Sequence, residues 1–73
     1  MNFQKLVAEE LNRARQHNPY NSVHEGFAVL FEEVDEVWDE VRKKRRNRSK
    51  KALLKELVQV AAVAQKMAED CAQ

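Results

Sequence analysis

The chain has 73 residues, 34% of them charged, with one Gly, one Pro, one Cys and a formal net charge of +1. A chain this short is a single domain whose core is marginal unless a partner, a metal or a disulfide adds to it, and scarce Gly and Pro favour long helices over strands and hairpins. The lone Cys71 excludes an intramolecular disulfide, no segment reaches the roughly 18 apolar residues of a membrane span, and with no signal-type apolar start the expected location is the cytoplasm.

Three helices are predicted over one domain, residues 1–73, so the fold class is all-α. The first spans about Asn2 to Gln16, where Phe3, Leu6, Val7, Leu11 and Ala14 recur every three to four residues. It ends before His17 to Ser22, "HNPYNS", because Pro19 disfavours helix at Asn18 and the asparagines suit a turn. Ser22 followed three residues later by Glu25 is a capping-box pattern that starts the second helix. Its apolar positions Val23, Phe27, Leu30, Val34, Val37 and Val41 step by four and three, Phe31 and Trp38 widen the stripe, and the helix is expected to reach about Arg46. Ser49 is the predicted N-cap of a third helix from about Lys50 to Ala72. Helices 2 and 3 are expected to form an antiparallel hairpin.

The apolar residues of "LVQVAAVA", residues 57–64, point in nearly every direction around helix 3. Two other helices in so small a chain can hardly cover them. Helix 3 and part of helix 2 are therefore expected to pack against a second subunit in a symmetric dimer or larger bundle.

Charge is strongly segregated: residues 32–40 hold six acids and residues 42–51 eight bases. On a helical wheel centred on Val34 the apolar arc runs from Val37 to Phe31, and Glu33 and Glu36 project together from its border. Glu32, Asp35 and Asp39 fall toward the far face. Glu56 and Gln59 are the polar break in helix 3, where an unpartnered carboxylate or amide is costly. In a helical hairpin Glu33, Glu36, Glu56 and Gln59 can converge, and an all-oxygen donor set suits a hard cation such as Mg²⁺ or Mn²⁺ better than zinc.

"EEVDE", residues 32–36, and "ELVQ", residues 56–59, are separated by nineteen residues. This arrangement resembles the Glu-Glu-x-x-Glu and Glu-x-x-Asp signature of the MazG-like, all-α nucleoside triphosphate pyrophosphohydrolases, over about His24 to Asp70. The resemblance implies a helical dimer or tetramer that binds Mg²⁺ and cleaves a nucleoside triphosphate between its α and β phosphates. It implies Glu33, Glu36 and Glu56 as metal ligands, and Glu32 as a further ligand or the group that positions or deprotonates the attacking water. Among the bases near the turn, Arg42, Lys43, Lys44, Lys50, Lys51 and Lys55 are candidates for the triphosphate, with Lys43, Lys44 and Lys55 foremost. Gln59 stands where the family has Asp and removes a unit of negative charge, so either the ligand set differs, with Glu25 or Glu40 recruited, or metal binding has decayed. The chain also has no clear fourth helix.

Two other readings compete. A non-catalytic helical interaction module related to this family has Gln59 as its best support. Direct nucleic-acid binding through the basic run is the weaker alternative, because no aromatics interleave it and the neighbouring acids would repel a polyanion. A solvated turn whose cations favour the end of helix 2 explains the run equally well. Trp38, Phe27 and Phe31 read as core or subunit contacts. His17 and His24 are not spaced as a metal pair, and Cys71 reads as a small apolar residue.

Overall fold

The computed structural model describes residues 1–73 and contains three α-helices and no strand: α1 (Phe3–Ala14), α2 (Val23–Val41) and α3 (Lys50–Cys71). Each start is capped as its sequence requires. The side chains of Asn2, Ser22 and Ser49 accept from the backbone N–H groups of Lys5, Glu25 and Ala52, each at 3.1 Å, relieving donors that the first turn leaves free. The capping box of α2 is displaced by one residue: Glu25 accepts from the N–H of Asn21 at 3.3 Å and from its side-chain amide at 3.1 Å.

α2 stops at Val41, short of the expected Arg46, and Arg45–Asn47 form one 3₁₀ turn. The reason is Glu40. Its buried carboxylate accepts from Ser49 N–H at 2.7 Å and Lys43 Nζ at 2.8 Å, which brings the start of α3 back against the end of α2. Arg48 Nε donates to the carbonyls of Val41 (3.1 Å) and Lys43 (3.0 Å), occupying acceptors that a continuing helix would have used.

α3 is the central element, and both α1 and α2 pack on it. α2 runs antiparallel to α3, since Glu40 at its end meets Ser49 while Tyr20, before its start, donates its N–H to Asp70 at 3.1 Å. α1 lies with its C-terminal end beside that of α3, where Arg15 pairs with Glu69. At Gly26 the two long helices approach so closely that a Cβ would sit 2.9 Å from Met67 Cγ. Close approach explains the glycine.

The buried apolar core is only Leu11, Val58, Ala62 and Val63. The predicted stripe of α2 is only in part the face that packs. Leu30 and Val37 are partly buried, but Val23, Phe27, Phe31, Val34, Trp38 and Val41 are 39–60% exposed. The helix is turned by roughly 60° from that stripe, so that Gly26, Leu30, Glu33, Val37 and Glu40 face α3. Likewise α3 is covered on two sides, leaving Leu57, Ala64 and Ala68 exposed.

Candidate metal centre

The rotation of α2 carries Glu33 inward. Glu33 and Glu36, one turn apart on α2, meet Glu56 of α3, and one carboxylate oxygen from each lies within 4.8 Å of the other two. Glu33 and Glu56 are partly buried and Glu36 is exposed. Glu33 Oε2 is buried and receives no hydrogen bond. Burial, then a shared proton and the charge of Glu36, then the charges of Glu56 and Glu32, push Glu33 up to about 7. Burial and Glu36 raise Glu56 as well. Each ionised pair at this spacing repels by about 1–3 kcal/mol once solvent around Glu36 is allowed for. A proton or a cation relieves that repulsion.

The donor set fits a hard divalent cation. All three groups offer oxygen, Glu33 also carries a buried oxygen without a donor, and oxygens on opposite sides of such an ion stand roughly 4–5 Å apart. Gln59 enters differently. It floors a groove of about 460 Å³ between α1 and α2, which Glu33, His17, Tyr20 and Lys66 also line. Glu33 therefore joins the acidic cluster to a cleft of ligand size.

The other sequence candidates divide. Glu32, Asp35 and Asp39 are exposed, and Asp39 pairs with Arg42 at 3.2 Å. Glu40 and Glu25 are not spare ligands. The former clamps the turn and the latter holds Asn21, so each already accepts from local donors. Lys43 is engaged by Glu40 at 2.8 Å, whereas Lys44 and Lys55 are exposed and form no ion pair.

Sequence reasoning missed the polar cluster at the far end of the groove. Lys66, 3% exposed, donates to Asp70 at 2.7 Å and to Asn18 O at 3.1 Å, and its Nζ lies 3.9 Å from the centre of the Tyr20 ring. These contacts hold the His17–Ser22 loop against α3. The available signal was a lysine four residues before an aspartate, on one face of the helix just after its apolar run.

No protein-family model, curated protein or solved structure matches this chain. No helix is long and apolar enough to cross a membrane.

Proposed function

We propose that the protein is a Mg²⁺-dependent nucleoside triphosphate pyrophosphohydrolase of the MazG-like type, with Mn²⁺ as an alternative ion, acting as a homodimer or dimer of dimers. The observation that carries this reading is the convergence of Glu33, Glu36 and Glu56, the first of which has a buried carboxylate oxygen without a donor. Bound there, a divalent cation would supply charge neutralisation on phosphate oxygens and acidify a water. Glu33, Glu36 and Glu56 would hold it, the last two from helices fixed by the Glu40 clamp. Glu32, exposed beside them, would accept the proton of the attacking water. Gln59, Tyr20 and His17 would line the nucleoside side of the groove, and Lys44 and Lys55, which form no ion pair, would meet the triphosphate, with Lys43 joining them where it exchanges Glu40 for phosphate.

The test is pyrophosphate release from a panel of nucleoside triphosphates with Mg²⁺ or Mn²⁺. Turnover should require the ion, and Glu36→Gln should lower kcat/KM by about 100-fold or more, the scale of losing one electrostatic stabiliser. Absence of turnover on every substrate would refute the enzymatic reading.

The second reading, a non-catalytic interaction module, is favoured by the neutral Gln59 and by the uncovered aromatic stripe of α2. It predicts neither turnover nor a cation-dependent rise in melting temperature. It shares with the first the expectation of self-association.

A further inference from the structure

α2 carries two parallel seams with the same spacing. Gly26, Leu30, Glu33, Val37 and Glu40 advance by four, three, four and three residues and face α3. One position further on, Phe27, Phe31, Val34, Trp38 and Val41 advance by the same steps and face nothing, with exposures of 58, 60, 47, 57 and 39%. A four–three repeat is the spacing at which a straight helical row meets another helix along its length. The seam runs from position 27 to position 41, a rise of roughly 21 Å.

We infer that this seam is the contact between two copies of the chain, with the two α2 helices antiparallel across a two-fold axis near Phe31 and Val34. The inference deepens the homo-oligomer part of the proposed function and is independent of its chemistry. The uncovered area supports a second copy. Three half-exposed aromatic rings and three valines of the same helix, Val23, Val34 and Val41, leave on the order of 600 Å² per chain, at the upper limit for a monomer's largest apolar patch. Pairing two such faces removes about 1,200 Å², the lower end of stable interfaces. The seam is apolar throughout and self-complementary, as an isologous contact requires.

Charge sets the direction. A parallel pair would bring together two turns carrying eight bases each in residues 42–51, adding their repulsion to that of aligned helix dipoles. The antiparallel pair places each basic turn beside the start of the partner's α2, where Glu25 is exposed, and lets the dipoles oppose. Near the axis Phe31 and Val34 would be covered by their own counterparts, with Phe27 and Trp38 outward from them.

The experiment uses the full chain with Cys71→Ser as background. Sedimentation equilibrium should show a dimer, and Trp38→Glu should weaken it by about 30-fold or more while far-UV circular dichroism retains the helical content. A short bis-maleimide should join Val34→Cys chains to each other and leave Val41→Cys chains unjoined, because position 41 would stand far from its own copy. Efficient joining of both would overturn the antiparallel direction. A monomer at every concentration, or a dimer untouched by Trp38→Glu, would overturn the seam itself, the former leaving the face to another protein. None of these results depends on nucleotide turnover, so failure here is distinct from failure of the enzymatic reading.

Discussion

Glu33 and Glu40 both lie on the side of α2 that meets α3, yet their surroundings act on them in opposite directions. Lys43 and the Ser49 N–H hold Glu40 below the usual carboxylate range. Burial among Glu36, Glu56 and Glu32 raises Glu33 to about 7. A carboxyl whose pKa is raised in the fold binds its proton more tightly there than in the unfolded chain, so its contribution falls as pH rises from the ordinary value near 4.5 to about 7. Glu56 adds in the same sense. The lowered groups Glu40, Glu69 and Asp70 contribute above their ordinary pKa values, and that contribution is lost as pH falls through the depressed ones. The melting temperature should therefore decline from pH 5 to pH 8. Millimolar Mg²⁺ should restore it at pH 8 and do little at pH 5, because the ion replaces the proton among the carboxylates. Glu36→Gln should flatten both effects. A melting temperature that is level across this range in the wild type would count against the buried cluster.

At the scale of elements, the hairpin depends on two short-range devices at one turn. Ser49 caps α3 with its hydroxyl and receives its direction from Glu40 through its N–H. Ser49→Ala keeps the N–H bond and removes the cap, and should cost about 1 kcal/mol, read as a lower denaturant midpoint with unchanged slope. Glu40→Ala should cost more, since it removes both bonds that return the chain and leaves the Ser49 N–H without its acceptor. Equal losses in the two variants would mean that the clamp does not organise the turn. At the opposite end, Lys66 and Asp70 secure the loop between α1 and α2, so each end of the hairpin is fixed by a buried charge with a close partner.

For the whole molecule the decisive quantity is the thinness of the core. Only four apolar side chains in 73 residues are buried, and a row of aromatics remains exposed beside them. Exposed apolar area of that kind drives association more readily than it is tolerated in water. Stability should then depend on concentration: the melting temperature should rise over a 100-fold increase in wild-type protein and stay level for Trp38→Glu. The same rise in both would place the association elsewhere than on α2.

Helix number and starts were legible in local signals: Ser22 and Ser49 cap helices where their neighbours begin a periodic pattern, and Pro19 ends the first. The meeting of Glu33, Glu36 and Glu56 followed from their spacing once a hairpin was assumed. The end of α2 was not legible, because a run of bases can continue a helix, and only the approach of Ser49 to Glu40 stops it. Nor was the orientation of α2. Its apolar arc is broad enough to pack in either of two directions, and periodicity gives the width of such an arc without its direction. Packing on α3 chose the flank that brings Glu33 and Glu40 inward and leaves Phe31 and Trp38 bare. Sequence by itself determined which segments are helical, since capping and periodicity are local. Tertiary structure alone decided which side of α2 is inside, since that depends on the shape and polarity of the helix it meets.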